Sequence, residues 1–133
     1  MTDQPLPCVL FVCVENSCRS QMAEAFARQH GAGKVVACSS GSRPSGRVNP
    51  RAIEFMREVG CDLTQHRSKS LQEIPAVTYA YAITMGCGDE CPSVRARQRA
   101  DWNIPDPKDL PAAEFRAVRD LIEHKVQALL ANL

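Results

Sequence analysis

The segment Cys8-Val9-Leu10-Phe11-Val12 limits the fold more than any other stretch of the chain. A continuous apolar run without polar alternation is the pattern of a strand buried on both faces, and such strands belong to parallel sheets covered by helices. A polar loop follows, then Arg19–His30, where Met22, Ala23, Phe26 and Ala27 fall on one helical face and Gly31 and Gly33 supply a stop. Val35–Ser39 reads as a second short strand, and Ser40–Val48, with two glycines and a proline, as a loop. Asn49-Pro50 joins an N-cap candidate to a proline at the first helical position; the helix it starts carries Ile53, Met56 and Val59 inward and ends at Gly60.

Tyr79–Thr84 is a third strand candidate. Met85–Arg99, which is polar and holds two glycines, two cysteines and a proline, reads as a long functional loop. Ala100–Ile104 reads as a short fourth strand and Asp106–Pro111 as a proline-bounded turn. From Ala112 onward Phe115, Val118, Ile122, Val126, Leu129 and Leu133 repeat at helical spacing. Strands alternating with helices predict βαβ units in one α/β domain spanning residues 1–133.

Composition narrows the chemistry. With 44% hydrophobic residues the chain can bury one core without metals or crosslinks, and with 5% aromatics that core must be mostly aliphatic. A formal charge of +1 argues against bulk nucleic-acid or membrane binding, so any anion site must be local. Met1–Pro7 lacks the basic flank and apolar run of a signal peptide, and no segment has the apolar length of a membrane span, so a cytoplasmic location is expected. Seven cysteines would suggest a disulfide framework in a secreted domain; in a reducing compartment the alternatives are metal binding, redox chemistry or burial. Cys87 and Cys91 form one loose pair, and His30, His66 and His124 are scattered, so no metal site is expected. Redox chemistry accounts for some of the cysteines, and burial for Cys8, Cys18, Cys38 and Cys61.

Cys13-Val14-Glu15-Asn16-Ser17-Cys18-Arg19-Ser20 lies directly after a buried strand and before a helix. That position aims backbone N–H groups and the positive end of a helix dipole at one spot, a ready oxyanion site formed by Val14, Glu15, Asn16, Ser17, Cys18 and Arg19. The same field favours the thiolate form of Cys13, and Arg19 offers a planar fork suited to two oxygens. A thiolate facing a tetrahedral centre is nucleophilic catalysis. The competing reading is a core cysteine beside a surface arginine; the strand–loop–helix context favours the chemistry.

FVCVENSCRSQMAEAFA resembles the active-site segment of the arsenate reductases that share the fold of low-molecular-weight protein tyrosine phosphatases. Ser39–Gly41 (SSG), Arg47–Gly60 (RVNPRAIEFMREVG) and Asp101–Pro107 (DW…DP) extend the resemblance over nearly the whole chain. It implies a four-stranded parallel sheet flanked by helices. It also implies Cys13 as nucleophile, Arg19 as oxyanion clamp, Ser20 as a hydroxyl stabilising the thiolate, Asn16 as the residue holding the loop's shape, and arsenate as substrate, with phosphate or sulfate as analogues.

Asp106 sits between Pro105 and Pro107, which stiffen its backbone. On spacing alone a turn-stabilising role is favoured; the family's Asp-Pro near this position raises Asp106 to proton donor for the leaving hydroxide. The phosphatases of this fold place tyrosines after that Asp-Pro, where this chain has Lys108, Asp109 and Leu110. Reducing As(V) to As(III) needs two electrons, and Gly86-Cys87-Gly88-Asp89-Glu90-Cys91-Pro92 looks like the family's thiol relay: Cys87 attacks Cys13 and Cys91 resolves. The alternative is a pair of structural cysteines. No bound cofactor is expected, only an external thiol reductant, either thioredoxin or a low-molecular-weight thiol. The compact spacing resembles members using the latter, which keeps an arsenate–thiol transferase open beside the phosphatase. Relatives that bind potassium do so through residues matching Asn16, Glu24, Ser39 and an Asp; Lys69 stands at that Asp, and its ammonium can take the ion's place. His66 is singled out by resemblance alone.

Overall fold

The computed structural model describes residues 6–86 and 94–133. In chain order it holds β1 (Cys8–Cys13), α1 (Arg19–His30), β2 (Val36–Gly41), α2 (Pro50–Arg57), a short 3-10 turn (Leu71–Glu73), β3 (Tyr79–Thr84), β4 (Ala96–Asp101) and α3 (Ala112–Leu130). The four strands form one parallel sheet in the order β2-β1-β3-β4.

β1 is central, as its apolar run predicts, and both of its faces are covered. Val9 and Phe11 join the larger core with Met22 and Phe26 of α1 and Phe115 and Ile122 of α3. Leu10 and Val12 point to the other face, with Cys38 and Tyr79. Fully burying each such side chain contributes about 1.5–3 kcal/mol. Met22, Ala23, Phe26 and Ala27 all become inaccessible, and α1 packs on α3. α2 begins as expected, with the Asn49 side chain accepting from the Arg51 N–H and Pro50 in the first turn. It stops at Arg57, before the expected end, and Gly60 closes the following turn at φ +84°.

The fourth strand departs from expectation. β4 occupies Ala96–Asp101 instead of Ala100–Ile104, so the expected Met85–Arg99 loop is shorter than its composition suggested. β4 is an edge strand, paired among the described residues with β3 alone, and Arg97, Gln98 and Arg99 are exposed. Charged edges carry no apolar signature, which hid this strand. The apolar signal at Trp102 and Ile104 belongs to the chain just beyond it. Trp102 N–H still donates to the Thr84 carbonyl at 2.9 Å, its ring lies 5.7 Å from Phe11, and Ile104 is buried. β2 likewise runs further than expected, to Gly41.

The chain leaves β1 toward β2 on one side and returns to β3 on the other, so the β1–α1 loop opens at the carboxyl end of the strands where the order reverses. In open α/β sheets that crevice is where ligands bind.

Candidate active site

Trans peptides fix where the loop's N–H groups point. A carbonyl and the following N–H lie on opposite sides of the peptide plane. The carbonyl of Val14 accepts from the Arg43 N–H (2.8 Å), that of Glu15 from the Ser45 N–H (3.0 Å) and the Ser68 hydroxyl (2.8 Å), and that of Ser17 from the Asn49 N–H (2.8 Å). The Asn16 carbonyl accepts from Gln21 Nε2 at 3.1 Å. Four consecutive carbonyls are therefore tied to the scaffold, which puts the N–H groups of Glu15, Asn16, Ser17 and Cys18 on the other side of their peptide planes. Among the described residues no side chain caps the N-terminus of α1.

Cys13 stands at the end of β1, buried, with its Sγ 2.8 Å from Ser20 Oγ. Asn16 Nδ2 donates to the same Ser20 oxygen at 2.9 Å, so the Ser20 hydroxyl links Asn16 to the Cys13 sulfur. Asn16 adopts φ +48°, a left-handed conformation that asparagine tolerates, and its Oδ1 accepts from Gln21 Nε2 (2.9 Å) and the Lys69 N–H (2.7 Å). Gly41 lies beneath this bend. A Cβ there would meet the Val14 carbonyl at 2.5 Å, the Asn16 nitrogen at 2.8 Å and the Cys13 carbonyl at 2.9 Å, which only glycine avoids.

Arg19 begins α1. Its Nη1 donates to the Met85 carbonyl (2.6 Å) and the Ile104 carbonyl (2.8 Å), using both hydrogens on that nitrogen. Among the described residues Nε and Nη2 have no hydrogen-bond partner, so the fork is anchored at one end with donors remaining at the other. A cavity of about 110 Å³ is lined by Cys13, Val14, Glu15, Ser17, Cys18 and Arg19 from the loop, with Asp106 and Lys108 opposite. Asn16 and Ser20 lie behind its wall. A cavity of about 520 Å³ near Leu71–Tyr79 and Val94 is larger, but holds neither cysteine nor carboxylate. The smaller one has the chemistry.

Asp106 closes a turn and also faces the cavity. Its Oδ1 accepts from the Lys108 N–H at 3.1 Å, closing a turn, while the residue also lines the cavity. Burial pushes the Cys18 thiol well up, with Asp106 and Cys13 adding to the shift, so Cys18 stays a neutral wall residue. Cys8, Cys38 and Cys61 are free thiols away from this cavity. Cys87 and Cys91 fall outside the described residues.

Behind the loop lies a second polar cluster. Buried Glu24 accepts a short hydrogen bond from Ser39 Oγ, and its other oxygen pairs with Arg28 at 2.7 Å. Lys69 Nζ sits 2.9 Å from the Arg67 carbonyl, 3.5 Å from Ser39 Oγ and 3.6 Å from Glu24 Oε1. An ammonium already faces these oxygens, so the residues do not fit a potassium ion. Burial first, then Arg28 and Lys69, lower the pKa of His66, whose Nδ1 meets Gln21 Oε1 at 2.9 Å.

Gln21 and Arg51 were not foreseen. Gln21 is inaccessible and bridges Asn16, His66 and the Arg67 carbonyl. Its signal was a glutamine among residues buried on every side of α1. Arg51 donates to the Lys108 carbonyl at 2.8 Å while its guanidinium lies over Phe55 and Phe115, tying α2 to the Asp106 turn. Nothing local marks that reach.

A buried cysteine at the end of a central parallel strand, followed by a loop and a helix that line one small cavity with it, is the arrangement to compare with known proteins. The chain belongs to the low molecular weight phosphotyrosine protein phosphatase family, whose model matches residues 8–133. It is 41% identical over 128 residues to a glutaredoxin arsenate reductase of Synechocystis, covering 94% of this chain and 97% of that protein. It superposes on a solved structure titled "An arsenate reductase in the phosphate binding state" with a TM-score of 0.87 and 40% identity, covering 96% of this chain and 98% of the other. A thioredoxin-dependent arsenate reductase of Corynebacterium glutamicum is 28% identical, with a TM-score of 0.77, covering 98% of this chain and 63% of that one.

Proposed function

We propose that the protein is an arsenate reductase that converts arsenate to arsenite with electrons from an external thiol. The meeting of Cys13, Arg19 and Asp106 at one small cavity, with Ser20 hydrogen-bonded to Cys13 behind its wall, carries this reading, and the similarity to arsenate reductases over nearly the whole chain supports it.

Arsenate sits against the loop's N–H groups, with Arg19 holding two of its oxygens. The Cys13 thiolate attacks arsenic, a Cys13–arsenic bond forms, and one oxygen leaves as water after taking a proton from Asp106. Ser20 keeps the thiolate aimed. The Cys87 thiolate then attacks the Cys13 sulfur. The electron pair of the sulfur–arsenic bond returns to arsenic, which departs as As(III) arsenite, and a Cys13–Cys87 disulfide remains. Cys91 attacks Cys87, frees Cys13 as thiolate, and leaves a Cys87–Cys91 disulfide for the external reductant. Such a cycle fits the cytoplasm, where thiols are kept reduced.

Incubation with arsenate, separately with thioredoxin and its reductase and with glutathione and glutaredoxin, should give catalytic arsenite with one of them. Hydrolysis of p-nitrophenyl phosphate without arsenate reduction under either donor would replace this reading with a phosphatase. Turnover that needs glutathione but not Cys91 would make it an arsenate–thiol transferase.

A further inference from the structure

We propose that Glu15 and Lys108 form a paired gate across the mouth of the oxyanion cavity, selecting inorganic oxyanions over phosphate esters. The inference rests on the functional reading above and adds to it the residues that set substrate size.

Glu15 is an odd occupant of an anion-binding loop, because its carboxylate repels the ligand that its own backbone N–H attracts. The structure resolves the conflict by pairing it. Lys108 Nζ lies 3.8 Å from Glu15 Oε2, and Ser17 Oγ donates to Glu15 Oε1 at 3.5 Å. The two residues come from opposite walls, Glu15 from the β1–α1 loop and Lys108 from the Asp106 turn, and both line the cavity. Their backbones are held. The Glu15 carbonyl accepts from Ser45 and Ser68, the Lys108 N–H donates to Asp106, and the Lys108 carbonyl accepts from Arg51. Only the side chains have room to move, and each is a little under half exposed.

The consequence is steric and electrostatic. At about 110 Å³ the cavity is well below the roughly 300 Å³ at which pockets begin to hold drug-sized ligands. A free tetrahedral oxyanion fits beneath the pair, whereas the substituent of an ester must leave through the mouth that the pair spans. The Lys108 ammonium also cancels the Glu15 charge, so the small anion is not expelled. A part-exposed ion pair is weak, which suits a gate that must open each time arsenate enters and arsenite leaves.

Binding can be read without turnover by competing inorganic phosphate and phenylphosphonate against arsenate adduct formation, or by titrating each into the reduced protein. The wild type should prefer phosphate. Lys108→Ala and Glu15→Ala should each shift the phosphate-to-phenylphosphonate affinity ratio toward the aryl ligand by about fivefold or more. Lys108→Arg, which keeps the pair, should retain the wild-type ratio. Lys108→Met keeps the stem but strands the Glu15 charge, so it should weaken both anions together. An unchanged ratio in Lys108→Ala and Glu15→Ala, with native circular dichroism, overturns the gate. If Glu15→Ala misfolds, Glu15→Gln and Lys108→Ala carry the same test. Arsenate reduction by the wild type is scored separately: its absence would refute the functional reading, while the binding ratio still decides the gate.

Discussion

The two walls of the oxyanion cavity are built differently. On the β1–α1 side, four successive carbonyls are tied to the scaffold, Asn16 is fixed by Gln21 and Lys69, and Gly41 allows no more than a hydrogen beneath the bend. On the Asp106 side, an exposed turn is held by its own Asp106–Lys108 bond and by Arg51. In the proposed reaction the first wall stabilises charge, which requires donors already in place before reaction. The second delivers a proton through Asp106 and admits substrate past the exposed side chains of Glu15 and Lys108. Disturbing the first wall should therefore cost the whole reaction, and disturbing the second should cost only a step or a preference.

The largest effect falls on the nucleophile. Cys13→Ser should reduce arsenite production to background with unchanged circular dichroism, because a serine hydroxyl stays protonated and cannot attack. Asp106→Asn keeps the turn's acceptor but cannot give up a proton, so arsenate turnover should fall about a hundredfold while phosphate binding persists, as a loss of general-acid catalysis predicts. Equal damage to binding would mean the turn is as structural as the loop and would erase the contrast.

Gly41→Ala tests the rigid wall from beneath. The new methyl meets three backbone atoms, so stability should fall by about 1–3 kcal/mol, the range for overpacking, and phosphate affinity should fall with it. A stable Gly41→Ala protein with full affinity would show that the bend tolerates movement. The smallest effect concerns Lys69. With its ammonium against Glu24 and Ser39, exchanging sodium for potassium should leave the melting temperature unchanged. A stabilisation specific to potassium would place an ion where Lys69 is assigned.

These two walls were unequally legible in the amino-acid sequence. β1, α1 and α3 announced themselves through apolar runs and helical spacing, Cys13 and Arg19 stood out as candidates through their place between strand and helix, and Ser20 through family resemblance. β4 did not, because a charged edge strand has no apolar face to display, and Trp102 and Ile104 drew the expected strand past its true end. Gln21 and Gly41 were hidden for a different reason. Their roles depend on segments far away in sequence, Arg67–Lys69 for one and the Cys13–Asn16 bend for the other. Local patterns show what a residue prefers, and not what the fold brings beside it.

The proposed relay begins at Cys13 and moves outward through Cys87 to Cys91. A single turnover of Cys91→Ser, quenched with acid and read by peptide mass spectrometry, tests it most directly. About one arsenite per enzyme and a trapped Cys13–Cys87 disulfide are expected, since no thiol remains to carry the bridge onward. Multiple turnovers of Cys91→Ser with a small thiol alone, and no Cys13–Cys87 peptide, would contradict it.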